Sequence, residues 1–200
     1  MNKEQRWNFL EELLNIHAPS GWETPVQRRW LAYVKEFADE TGSDAYGNAF
    51  AILNPNAERR VLVVGHADEI GYQVQFISKE GFLYVGRIGG TDVGMARGQR
   101  VLVHGEKGAV YGVFGSLPVH LKNANDEKLP KVHELFVDIG ANSEAEAKKR
   151  VKVGDAITLH CGVEKLTDKV WATLLEMAKD GTVARITTQW MGADISIIGK

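Results

Sequence analysis

Two residues in this chain, His66 and Asp68, have types and a spacing that could do chemistry. They stand in the segment Val63-Val64-Gly65-His66-Ala67-Asp68-Glu69-Ile70-Gly71. A neutral imidazole can ligate a divalent metal through one nitrogen while a carboxylate accepts the other ring N–H and fixes the tautomer. His66 is therefore a metal-ligand candidate and Asp68 its orienting partner. The same pair also reads as a core-edge histidine bonded to a neighbouring carboxylate, because a lone His-x-Asp is a short signal. Glu69 reads either as a support behind the pair or as a surface charge.

The elements around the pair must place it. The apolar run Val61 to Val64 predicts a buried β-strand, and the carboxyl end of such a strand in an α/β sheet is where ligands gather. Upstream, Trp7, Leu10, Leu13 and Leu14 recur at helical spacing and predict an amphipathic helix over 3–16. His17-Ala18-Pro19-Ser20-Gly21 breaks it. Thr24 as N-cap and Pro25 at the first helical position predict a second helix, carrying Val26, Trp30, Val34 and Phe37 inward, with Gly42 after its end. Asp44 to Asn48 is a turn signal before a short strand, Ala49 to Leu53. Asn54-Pro55-Asn56 is a second turn. Helix, helix, strand, strand is the start of an α/β layered domain.

Beyond Gly71 the texture changes to short segments rich in Val, Ile and Tyr with frequent glycines. Tyr72–Ile77, Phe82–Ile88, Arg100–His104, Ala109–Phe114 and Ala156–Leu159 predict strands of a small β-barrel or sandwich. Ser143-x-x-Glu146 is a capping box that opens a short helix. Thr167 caps a further predicted helix, Asp168 to Lys179, before a strand over 182–188.

Composition narrows the function classes. The chain has 200 residues, 24 basic and 26 acidic, for a net charge of −2, so it lacks the basic footprint of a nucleic-acid binder. No apolar run approaches a membrane span, and no apolar stretch follows the first residues as in a secretory signal. One cysteine, Cys161, permits no intrachain disulfide and suits a reducing, cytoplasmic setting. His160-Cys161 is a soft pair for zinc but lacks a second cysteine or a spaced histidine. His17, His104, His120 and His133 are scattered and read as surface or interface positions. The glycines between Gly86 and Gly98 lack the Gly-Lys-Ser/Thr of a phosphate loop and read as barrel turns.

An ordered set of segments then carries a resemblance. It comprises Pro19-Ser20-Gly21, Asp44 with Gly47-Asn48, and Gly65 to Gly71. Ile88-Gly89-Gly90, Gly98-Gln99-Arg100-Val101, Leu135 to Ala141 and Val153-Gly154-Asp155 follow. Together they resemble the tetrahedral-type, glutamyl aminopeptidase-like (deblocking) metallo-aminopeptidases of the cytoplasm. The resemblance implies a catalytic-type α/β domain, 1–71 and 156–200, interrupted by a β-barrel assembly insert, 72–155. It implies a divalent metal, zinc or cobalt, held in part by His66, with Asp68 orienting it. It implies peptides as substrates and a homo-oligomer built through the insert, beside the expectation from charge and apolar-run length of no nucleic-acid and no membrane partner.

The chain departs from the family pattern after the insert. Leu166-Thr167-Asp168-Lys169 echoes the metal-bridging motif with Thr167 where the bridging Asp should stand, which leaves Asp168 as the remaining metal-ligand candidate there. No Glu-Glu pair follows residue 12, and no histidine follows His160. Glu176 and Asp180, four apart, could share a helix face, which is ordinarily a solvated one. Two expectations stand side by side. One is a peptide-hydrolysing enzyme. The other is a truncated or degenerate relative that serves as a non-catalytic assembly module.

Overall fold

The computed structural model describes residues 3–115, 131–163 and 176. Residues 1–162 form one compact unit and residues 163–200 a second. Of the second, beyond Val163, only Glu176 is described, exposed and helical. The predicted helix from Asp168, the strand over 182–188 and the candidate Asp168 lie outside the described residues.

The first unit opens with two helices, α1 (Lys3–Leu14) and α2 (Thr24–Val34). They meet through Phe9, whose ring lies 4.0 Å from that of Tyr33, and through Arg29, which pairs with Glu12 and lies 4.9 Å over the Phe9 ring. The face expected to point inward differs. Trp7, Leu10 and Leu14 are exposed, and Phe9 and Leu13 are the half-buried apolar positions. In α2, Val26 and Val34 are buried as expected and Trp30 is half-buried. Phe37 lies past the helix end, is exposed, and sits edge-on to Tyr33. Thr24 is the first helical residue rather than the cap. Glu23 holds the N-cap position, and its carboxylate accepts from Gly21 N at 2.8 Å.

A hairpin follows, β1 (Glu40–Ser43) against β2 (Ala49–Ile52), antiparallel. Gly42, expected to follow the second helix, lies inside β1 beneath the Phe50 ring, and an added Cβ there would fall 2.7 Å from that ring. Asp44 builds the turn. Its carboxylate accepts from the backbone N–H of Tyr46 and Asn48, both at 2.9 Å, and from the Asn48 side chain at 2.8 Å. Gly47, at φ +85°, takes the left-handed position that the turn requires.

The run Val61–Val64 departs most from expectation. It is not a strand, and its four side chains are 78–90% exposed. Apolar side chains on both faces of a strand are the pattern of a parallel strand covered on both sides. Among the described residues nothing covers or pairs this run.

The barrel is closed. Its strands are β3 (Gly71–Ile77), β4 (Leu83–Ile88), β5 (Arg100–Gly105), β6 (Gly108–Phe114), β7 (Phe136–Asp138) and β8 (Ala156–Leu159). Their order is β3-β4-β7-β6-β5-β8, every pair antiparallel. All five strands expected from sequence form, and β7 adds a sixth. Closure needs β8, which joins β3 to β5, so the barrel runs past residue 155 to Leu159. Strand alternation sends Val74, Leu83, Val85, Val101, Val103, Val137 and Ile157 into a core that also holds Tyr72 and Phe114, whose rings meet edge-on. Each fully buried aliphatic side chain contributes about 1.5–3 kcal/mol. Two short helices, α3 (Val93–Ala96) and α4 (Glu144–Lys148), add Ala96 and Ala147 to the same core. Ser143 caps α4 by accepting from Glu146 N, while the Glu146 carboxylate turns to Asn142 N at 2.9 Å.

No helix among the described residues is long and apolar enough to cross a membrane.

Candidate metal-ligand arm

His66 and Asp68 sit in the extended segment that leads from the hairpin to β3. Two lashings fix its far end. Glu69 forms a parallel bridge with Pro19: Glu69 N donates to Ala18 O at 2.9 Å, and Ser20 N donates to Glu69 O at 3.3 Å. The Glu69 carboxylate closes the loop by accepting from Ala18 N at 2.8 Å. Glu69 therefore anchors the loop that follows α1, a role its surface-charge reading did not anticipate. Gly71 then enters β3 so close to its neighbours that an added Cβ would meet Ile157 O at 2.6 Å and Pro19 Cβ at 3.2 Å.

On this support the predicted pair forms. His66 Nδ1 lies 2.9 Å from Asp68 Oδ1 and 3.0 Å from Asp68 O. Both oxygens are acceptors, so Nδ1 carries the proton and Nε2 keeps its lone pair. The His66 side chain is 85% exposed. It is not a buried core-edge histidine, and the donor nitrogen of a ligand is open to solvent. The other carboxylate oxygen, Asp68 Oδ2, accepts from the Ser20 hydroxyl. The Ser20 hydroxyl beside Asp68 holds its carboxyl below the ordinary range against the opposing effect of burial, and His66 adds to the lowering. Asp68 is thus an ionised, doubly hydrogen-bonded acceptor behind an imidazole, the arrangement that orients metal-ligating histidines.

A divalent ion needs more than this arm. Among the described residues no group of three or more His, Cys, Asp or Glu side chains converges to hold a metal. The imidazole Nε2 fits one ligand position. The described donor set falls short of a complete site, and Asp168 lies outside it. Glu176 is exposed. His160 stands edge-on to Tyr111, with ring centroids 5.2 Å apart, and Cys161 is free and exposed. His133 is exposed in the 3-10 turn Val132–Glu134, and His120 lies outside the described residues.

Two further histidines do come together. His17 Nδ1 and His104 Nε2 lie 3.0 and 2.9 Å from the hydroxyl of Thr158, which is fully buried in β8. Their separation in sequence gave no local signal of this. The Ser20–Asp68 bond, 48 residues apart in sequence, was likewise hidden.

The fold belongs to a known class. The structure superimposes on a TET aminopeptidase from a marine sediment archaeon of the Thaumarchaeota with a TM-score of 0.77 and 32% identity. That match covers 88% of this chain and 55% of the other. It superimposes on the TET1 peptidase of Pyrococcus horikoshii with a TM-score of 0.73 and 33% identity, over 80% of this chain and 48% of the other. The family model described as M42 glutamyl aminopeptidase matches residues 47–176, and the chain belongs to that family. The lysyl aminopeptidase of Pyrococcus furiosus is 33% identical over 146 residues, 72% of this chain and 42% of that protein. The chain spans less than half the length of the curated relatives it matches.

Proposed function

We propose that this chain carries the His66–Asp68 arm of a divalent-metal site that hydrolyses N-terminal residues from peptides. One observation carries the reading. Asp68 and its own carbonyl hold the proton on His66 Nδ1, which leaves Nε2 as an exposed donor. Imidazole nitrogen suits zinc or cobalt. A bound ion of this kind supplies Lewis-acid chemistry to a scissile carbonyl. The chain's own part is to present Nε2 and to keep the ring from turning through an ionised Asp68. Asp168 remains the candidate for a second ligand. The remaining acidic ligands and the general base have no owner among the described residues. A single free cysteine suits a cytoplasmic setting.

A second reading rests on the barrel, which is closed and has a core of its own. In it, the chain is an assembly module that self-associates through the barrel. The Pyrococcus horikoshii relative is described as assembling into a tetrahedron or a large octahedral shell.

The test is turnover of a panel of aminoacyl chromogenic substrates by the purified chain with zinc or cobalt. Chelator-sensitive turnover that disappears in His66→Ala supports the enzyme. Absence of turnover with either metal, or turnover that His66→Ala leaves intact, removes it. A monomer by light scattering removes the assembly reading.

A further inference from the structure

We propose that Ser20 is a positioning residue that sets the tautomer and orientation of His66 through Asp68. The observations are those of a three-member chain. The Ser20 hydroxyl donates to Asp68 Oδ2, and Asp68 Oδ1 faces His66 Nδ1 at 2.9 Å. A carboxylate in solution turns freely about its last bond. Held at Oδ2, it presents Oδ1 in one direction, and that direction is the imidazole N–H.

The hydroxyl can do this because its own backbone is fixed from both sides. Ser20 N donates to Glu69 O at 3.3 Å, one residue beyond Asp68. Ahead of Ser20, Ala18 and Pro19 are buried. Behind it, Trp22 N donates to Pro19 O at 2.8 Å across a tight turn whose Gly21 sits at φ +93°. The loop and the Asp68–Glu69 segment are therefore one rigid piece, and Ser20 is the residue in it that touches the Asp68 carboxylate through its side chain. A hydroxyl suits the position. It satisfies the second carboxylate oxygen without adding a charge that would compete with His66 for Oδ1.

The inference takes its purpose from the aminopeptidase reading, but its test needs neither metal nor turnover. The readout is the ring 15N shifts of His66 in the metal-free chain at neutral pH, which distinguish a protonated from an unprotonated ring nitrogen. Comparison proteins are Ser20→Ala, Ser20→Thr and Asp68→Asn, with His66→Gln to assign the signal. In the wild-type chain His66 Nδ1 should appear protonated and Nε2 unprotonated. Asp68→Asn replaces the carboxylate by a neutral amide, a weaker acceptor whose NH2 can also donate to Nδ1, and should move the signals toward the Nε2–H form. Ser20→Ala should move them the same way, toward the Asp68→Asn values, and Ser20→Thr should restore them.

Three results would overturn the inference. One is a wild-type His66 in the Nε2–H form. Another is an Asp68→Asn spectrum unchanged from wild type. The last is a Ser20→Ala spectrum that stays at the wild-type values while Asp68→Asn shifts. Where Ser20→Ala folds poorly, Ser20→Gly is read in its place, and a wild-type His66 in the Nε2–H form overturns the inference without either. If turnover is absent but the shifts behave as stated, the aminopeptidase reading fails and the role of Ser20 stands. Turnover with unmoved shifts gives the reverse.

Discussion

The buried hydroxyl of Thr158 lies 2.9 Å from His104 Nε2, and the same oxygen lies 3.0 Å from His17 Nδ1. One hydroxyl has one proton to give, so with both rings neutral one imidazole donates to Thr158 and the other accepts from it. Protonating both would strand the hydroxyl proton in the interior and place two cations on rings whose centroids are 5.4 Å apart. The charged groups nearby are Glu69, 3.7 Å from His17 Nδ1, and Asp155, which favours the charged form of His104.

Stability should therefore fall on acidification. Burial pushes His104 below the ordinary imidazole value, and the neighbouring His17 pushes it further. The unfolded chain then binds the proton first. The His104 contribution is intact above about pH 6.5 and is lost as the pH drops below that value toward the lower folded one. Urea midpoints of the wild-type chain should decline between about pH 7.5 and about pH 5. In His104→Gln that decline should be shallower. An identical decline in the variant would locate the acid sensitivity elsewhere.

Leu83 is fully buried in β4 at the centre of the barrel core. Leu83→Ala should cost about 2–5 kcal/mol, the transfer term plus the cavity. Phe76, on a barrel strand but 58% exposed, is the control. Phe76→Ala should cost far less in the same chemical denaturation experiment.

Gly71 has no room for a methyl group between Ile157 O and Pro19 Cβ. Gly71→Ala should force the loop after α1 away from β8. The amide of Glu69, bonded to Ala18 O, should then lose hydrogen-exchange protection while the β5–β6 amides keep theirs. Equal protection in both proteins would mean that the contact is not tight.

The run Val61–Val64 presents four contiguous exposed apolar side chains. Leu62→Lys with Val64→Lys should reduce binding of an apolar fluorescent dye and leave the barrel melting temperature unchanged. A lowered melting temperature would show that these residues are buried.

Much of this was legible in the sequence. The barrel strands were legible as short segments rich in Val, Ile and Tyr with glycines recurring between them. The pair His66 and Asp68 was legible because the two are local. Val61–Val64 was misread as a buried strand in place because its apolar pattern reports what such a segment needs rather than what lies beside it. The face of α1 was misread for a related reason. Trp7, Leu10 and Leu14 have helical spacing, but Phe9, with its aromatic partner Tyr33, took the contact with α2. Ser20, His17 and Thr158 were out of reach, since their partners lie 48 and 141 residues away and only the closed fold brings them together.

On the metal-site reading His66 presents a ligand nitrogen, and cobalt(II) added to the chain during NMR puts that to the test. The prediction is selective paramagnetic broadening of the His66 ring signals at the lowest cobalt concentrations, with neighbouring signals following and His66→Ala abolishing the effect. Broadening that begins at His160 and Cys161, or that leaves His66 sharp, would contradict the claim.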